Sequence, residues 1–162
     1  MRRFVIYISL FLILTASLPT PKNTKSIPAE KKLQTIALHY HKNLYFIKVK
    51  INNRNANLLV DTGAAASLLD INQANEFNFE FNKTDQMFVG VGGLSNRYRL
   101  TKYKIDHDTT TLRMYPYGAD LKSISTSFME SGLSIAGVVG SDFFRTNDAI
   151  IDYKKRELVI YH

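Results

Sequence analysis

Between Leu44 and Ile51 the chain alternates. Ile47, Val49 and Ile51 fall on one face, Lys48 and Lys50 on the other. That period of two predicts a half-buried strand. Asn52-Asn53-Arg54-Asn55 supplies turn chemistry, and a second strand from Ala56 to Val60 runs back to end on Asp61. A short strand follows from Ser67 to Leu69. Asp70 is then placed to cap a short helix whose apolar face would be Ile71, Ala74 and Phe77. Phe88 to Gly93 mixes β-branched residues with Gly90, Gly92 and Gly93, a composition for a strand tip or hairpin loop rather than a core strand. Tyr98–Ile105 and Thr110–Tyr117 alternate as strands, and residues 118–134 read as mixed strand and loop. Val138-Val139-Gly140 predicts a buried strand ending in glycine, and Ser141 to Arg145 one or two helical turns. Ala149–Tyr153 and Glu157–Tyr161 form a closing hairpin around Lys154-Lys155-Arg156. The expected class is all-β with one or two short helices.

The N-terminal segment follows a different pattern. Met1-Arg2-Arg3 precedes an apolar run from Phe4 to about Leu14, and the small residues Thr15-Ala16-Ser17 follow. This is the form of a secretory signal over residues 1–17. The run is short against the roughly 20 residues of a spanning helix. Left uncleaved, residues 4–18 would tether the protein to a membrane. Either outcome predicts export, to a periplasm or the exterior. Residues 18–32, with Pro19, Pro21 and Pro28 among lysines and polar residues, read as a basic extended linker. The domain would then occupy residues 33–162.

Composition narrows the chemistry. A hydrophobic content of 45% is enough to bury a core. The chain has no cysteine, which excludes disulfides, thiolate nucleophiles and cysteine metal sites. The net charge of +7 is concentrated in the leader and linker, where Arg2, Arg3, Lys22, Lys25, Lys31 and Lys32 face only Glu30. The domain itself is nearly balanced and lacks the basic footprint of a nucleic-acid binder. His39 and His41 share one face of a strand but have no evident third ligand, so no metal is expected. Ser67, Ser95 and Ser141 lack an acid–histidine partner for a serine hydrolase.

The candidate chemistry lies at Asp61-Thr62-Gly63. The apolar run Leu58-Leu59-Val60 delivers a carboxylate and a hydroxyl to a glycine turn. Taken alone, Asp61 fits a structural turn aspartate equally well. Gly90–Gly93 taken alone fits a plain hairpin loop. Asp142 reads as a helix cap and Asp152 as a hairpin residue. Asp106-His107-Asp108 reads as an exposed turn.

Three blocks in order change that balance: Leu59-Val60-Asp61-Thr62-Gly63-Ala64 with Ser67, then Gly90-Val91-Gly92-Gly93, then Val138-Val139-Gly140 with Asp142, Phe143 and the Ile150-Ile151-Asp152-Tyr153 hairpin. Together they resemble the retropepsin-like aspartic peptidases, closest to bacterial single-domain members, over roughly residues 33–162. The resemblance implies a small closed β-barrel with a short helix after Gly140. It implies Asp61 as the catalytic acid–base group, Thr62, Gly63 and Ala64 as its supporting loop, and Val138, Val139 and Gly140 packed against that loop. Val89, Gly90, Val91, Gly92 and Gly93 would form a flap over a polypeptide substrate. No cofactor is implied. Peptide hydrolysis by this route uses two carboxylates sharing a proton, about 3 Å apart. The chain has one such tripeptide, so the resemblance implies a homodimer pairing Asp61 with its symmetry mate. A catalytically silent peptide-binding scaffold of the same fold is the alternative. The stretch from Gly93 to Val138 is longer than in the compact retroviral members, which leaves the cleft and the dimer contact open to change.

Overall fold

The computed structural model describes residues 32–90 and 93–161; the leader, most of the linker, Val91 and Gly92 lie outside them. No helix among the described residues is long and apolar enough to cross a membrane.

The strands are β1 (Lys32–Ala37), β2 (His39–His41), β3 (Leu44–Ile51), β4 (Arg54–Val60) and β5 (Leu68–Asp70). A single 3₁₀ turn, Ile71–Gln73, and helix α1 (Ala74–Phe77) follow. Next come β6 (Glu80–Gly90), β7 (Gly93–Thr101), β8 (Ile105–His107), β9 (Thr110–Thr111) and β10 (Tyr117–Ala119). Helix α2 (Lys122–Met129), β11 (Gly137–Val139), helix α3 (Ser141–Thr146), β12 (Ile150–Asp152) and β13 (Glu157–Tyr161) complete the chain.

The hairpin predicted from alternation is present, with a tighter turn. Asn52 and Asn53 both take left-handed φ values, 47° and 67°, so β4 begins at Arg54 rather than Ala56. Asparagine tolerates that conformation and the two-residue turn suits the strand twist. Ile47, Val49 and Ile51 are buried as expected, with Lys48 and Lys50 exposed.

β3 and β4 carry buried side chains on both faces. Ile47, Val49, Ile51 and Leu58 join a main core with Ile36, Leu69, Val139, Phe143, Leu158 and Ile160. Phe46 and Leu59 join a second core with Leu121, Phe128, Ile135 and Val138. This explains the unbroken apolar runs in β4 and β11. Strands covered on both faces need no polar alternation.

The strand order of the large sheet is β6-β7-β10-β5-β11-β4-β3-β8-β9, with β2 beside β3. Pairing among the described strands traces a path from β6 to β9, and a pair joining its two ends is not among them. β11 lies between β4, which it pairs in parallel, and β5, which it pairs antiparallel. A Cβ on Gly137 would stand 2.2 Å from the Leu68 carbonyl oxygen, so glycine is what lets these strands meet. A second sheet, β1-β13-β12, is closed by the C-terminal hairpin. In its turn, Lys155 N–H donates to Asp152 Oδ1 at 2.9 Å, consistent with the hairpin role read for Asp152.

Several expectations need correction. Residues 118–134 contain the helix α2, which buries Phe128 and Ser125 against the second core. Its composition hid it, because serine and threonine compete with the backbone and are weak helix formers. The two strands expected over Tyr98–Ile105 and Thr110–Tyr117 are broken up. β7 stops at Thr101, Lys102 turns at φ 55°, and only Thr110–Thr111 and Tyr117 keep strand pairing in the second stretch. Asp106 and His107 belong to β8 rather than to an exposed turn. Asp106 is buried and accepts from the Thr111 hydroxyl at 2.6 Å. That bond, helped by Lys104, holds its carboxyl below the usual range.

Candidate active site

The site begins where β4 ends. Asp61 N–H donates to the Val139 carbonyl at 3.0 Å, the last rung of the parallel β4–β11 pair. The chain then turns. Gly63 N–H donates to Asp61 Oδ1 at 2.9 Å, and Ala64 N–H donates to the Asp61 carbonyl at 3.1 Å. Asp61, Thr62 and Gly63 are all exposed, while the strands beneath them are buried. A carboxylate is thus held at a fixed point on the edge of a rigid crossing. Thr62 makes no side-chain hydrogen bond among the described residues.

Gly140 closes the loop from behind. A Cβ there would fall 2.6 Å from the backbone carbon and oxygen of Ala66 and 2.8 Å from the Ala64 oxygen. Its φ of −96° is open to any residue, so the demand for glycine is one of space. Ser141 N–H donates to the Ala64 carbonyl at 2.8 Å, tying the start of α3 to the Asp61 loop.

Two residues beneath the loop do more than the sequence suggested. Ser67 is fully buried; its hydroxyl donates to Asp142 Oδ1 at 2.7 Å and accepts from Gly140 N–H at 3.0 Å. The same Asp142 oxygen accepts from Ser67 N–H and Phe143 N–H, both at 2.8 Å. Asp142 is therefore not the cap of α3, a position held by Gly140. It sits in the first turn and fastens α3 to the loop that carries Asp61. No local pattern reports this contact, since Ser67 and Asp142 are 75 residues apart.

Asp70 caps the 3₁₀ turn as expected, accepting from Asn72 N–H at 3.1 Å. Its Oδ1 also accepts from Asn72 Nδ2 and Leu121 N–H, which fixes the entry to α2. Asp120 beside it is held below the usual carboxylate range, first by the Lys122 N–H and then by the Asn72 side chain.

β6 and β7 form a long ribbon ending at Gly90 and Gly93, which are paired. Val89 is 84% exposed and Leu94 68% exposed near its tip. Val91 and Gly92, assigned to the same tip, lie outside the described residues. A bulge between Lys83 and Met87 resets the register of the ribbon. Beyond it, Phe88 turns down onto the second core, against which Ala64 and Leu68 also pack. The ribbon and the residues that follow Asp61 thereby share one core.

His39 stacks on Phe46 with ring centroids 5.2 Å apart, and His41 bonds the Ser131 hydroxyl. Burial, with Lys48 nearby, lowers the pKa of His39. Among the described residues no group of three potential ligands is placed to hold a metal.

The sequence profile described as retroviral aspartyl protease matches residues 41–146, which span β3 through α3. The chain belongs to this family. The matched stretch includes Asp61, the β6–β7 ribbon and the Val138-Val139-Gly140 strand. A search of curated proteins gave no match. Among solved structures, the retroviral protease-like domain of Ddi1 from Leishmania major is similar at 17% identity, covering 72% of this chain and 87% of that one with a TM-score of 0.50. The EIAV protease complexed with the inhibitor HBY-793 is 20% identical over 67% of this chain and 91% of its own, TM-score 0.49. A retropepsin-like aspartic protease from Rickettsia conorii is 17% identical over 80% and 89%, TM-score 0.47. The fold is mostly β with few helices, of retropepsin-like type.

Proposed function

We propose that this protein is an aspartic endopeptidase whose active site is completed by a second copy of the same chain. The observation that carries this reading is the setting of Asp61. Its carboxylate is exposed, oriented by the Gly63 N–H, and backed by the buried β4–β11 crossing. One carboxylate cannot both activate water and protonate a leaving amide. Two held close share a proton, one acting as base and the other as acid. Two-fold symmetry supplies the second Asp61 at no cost in new sequence. Thr62, exposed beside it and with no side-chain hydrogen bond among the described residues, is free to brace the paired loop. The peptide lies extended beneath the β6–β7 ribbon, held by main-chain hydrogen bonds, with alternate side chains in pockets. Closure of Val89, Gly90 and Gly93 over it excludes water from the reacting carbonyl. Read as a secretory signal, residues 1–17 would carry this activity outside the cytoplasm.

The test is the mass of the purified protein in solution together with cleavage of an unstructured protein such as casein at mildly acidic pH. The expected result is a dimer whose cleavage disappears in Asp61→Asn while thermal unfolding stays within a few degrees. Full activity in that variant would end the proposal. A dimer that binds peptides yet never cleaves them would leave a scaffold of the same fold.

A further inference from the structure

On one face of the ribbon sits an arginine that forms no ion pair among the described residues. Arg97 is on β7. The bulge in β6 brings Phe88 opposite Ser95, on the same face of the ribbon as Arg97. The Arg97 guanidinium lies 3.5 Å from the ring centroid of Tyr117 and 5.6 Å from that of Phe88. The two rings meet edge to face at 5.9 Å.

This cluster is bound to the site from both sides. Phe88 packs on the second core, which includes Val138 and against which Ala64 and Leu68 also pack. Tyr117 pairs with Leu68, and its N–H donates to the Ser67 carbonyl at 3.0 Å. The arginine is thus carried on a pair of rings of which Tyr117 is paired to the Ser67–Leu68 segment that follows the Asp61 loop.

Its charge is unmatched. No carboxylate of the described residues forms an ion pair with Arg97, and its Nε is buried without a hydrogen-bond partner. The neighbouring carboxylate, Asp120, is taken up by Asn72 and the Lys122 N–H. Asp120 and Lys122 line the adjoining hollow with Ser95, Ser123 and Thr126, so that wall adds no net negative charge. Stacking on an aromatic face stabilises a guanidinium and fixes its plane, but leaves its in-plane N–H edge for a planar acceptor. A carboxylate is the side-chain group that matches that edge, and partial burial strengthens the pairing.

We propose that Arg97, on its Tyr117–Phe88 platform, forms a substrate subsite selective for an acidic side chain, glutamate or aspartate. The inference rests on the endopeptidase reading for its substrate. In a two-fold dimer the subsite occurs twice, so an acidic preference falls at two positions on opposite sides of the cleaved bond. Arg97 is a specificity residue and takes no part in the bond-breaking step.

The test uses the full chain and fluorescein-labelled random dodecapeptide pools in which one position at a time is fixed as Glu or as Gln. Cleavage by the wild type is read by mass spectrometry. Binding to Asp61→Asn, which leaves peptides intact, is read by fluorescence anisotropy. The expected result is a preference of about tenfold for Glu over Gln at the responding position, the scale of one charge-assisted hydrogen-bonded pair. Arg97→Gln should erase it, and Arg97→Lys should restore part of it, with circular dichroism checking the fold of each. The preference in the wild type does not depend on whether either variant folds. Equal handling of Glu and Gln, or binding of neither without cleavage, overturns the inference. Cleavage without preference overturns it and leaves the endopeptidase standing. Preferential binding without cleavage supports Arg97 as a site for acidic side chains, overturns its role as a substrate subsite and ends the endopeptidase reading.

Discussion

The crossing that carries Asp61 and the ribbon that overhangs it are built on opposite principles. At the crossing, β4, β11 and β5 are buried on both faces, and separate hydrogen bonds from Val139, Ser141 and the Ser67–Asp142 pair converge on one loop. In the ribbon, nearly every residue of β6 is exposed, and among the described strands β6 pairs only with β7. Besides the β7–β10 rung at Tyr98, the ribbon is anchored by Leu100 at the base of β7 in the main core, by Phe88 and by the Arg97 stack. The difference separates two tasks. In the proposed dimer, a carboxylate that is to meet its symmetry mate at hydrogen-bonding distance has to be fixed by the core. A cover that admits and releases an extended chain has to be free of it. Stability should therefore respond to changes at the crossing, and turnover and selectivity to changes in the ribbon.

The hardest blow to the crossing is Gly140→Ala. The new methyl would strike the backbone of Ala64 and Ala66 rather than a movable side chain. The expected loss is roughly 3 kcal/mol of unfolding free energy, the upper end for overpacking a tight core. Urea unfolding measures it. A loss near zero would mean that the loop and α3 are not locked together.

A gentler cut at the same place is Ser67→Ala. It leaves Gly140 N–H buried without an acceptor and removes one donor from Asp142, whose bonds to Ser67 N–H and Phe143 N–H remain. The expected cost is about 2 kcal/mol, set mainly by the stranded N–H. The same variant should lose cleavage beyond what its lower stability explains, because the Asp61 loop loses one of its fastenings to α3. Unfolding and cleavage measured at one temperature separate the two effects.

How far these features could be read in the sequence follows the same division. Where a strand has one kind of neighbour on each face, the residues say so. β3 alternates, β4 and β11 run apolar, and both match what surrounds them. The turn into Asp61, the cap at Asp70 and the closing hairpin are local, and local chemistry reports them. β6 has solvent on both faces, so nothing imposes a period on Glu80 to Gln86. α2 is held by burying Phe128 and Ser125, against the preference of its own Ser- and Thr-rich sequence. The Ser67–Asp142 bond and the Arg97–Tyr117 stack join distant segments. Each residue was visible in the sequence, but the pairings exist only once the chain has folded.

The smallest effect on stability, and the sharpest test of the contrast, is at the ribbon tip. Val89 is exposed in the single chain, so Val89→Ser exchanges one solvated side chain for another. Unfolding free energy should stay within about 0.5 kcal/mol of the parent, as for most surface substitutions. If the ribbon closes over substrate, Val89 loses its water there, and serine forfeits that burial. A reduction in kcat/KM of up to about tenfold corresponds to roughly 1.4 kcal/mol, within reach of one apolar side chain. The pattern required is a change in turnover with none in stability, the inverse of Ser67→Ala at matched folded fraction. Equal losses of both at Val89 would make the ribbon part of the scaffold, and the division of labour between the two regions would not hold.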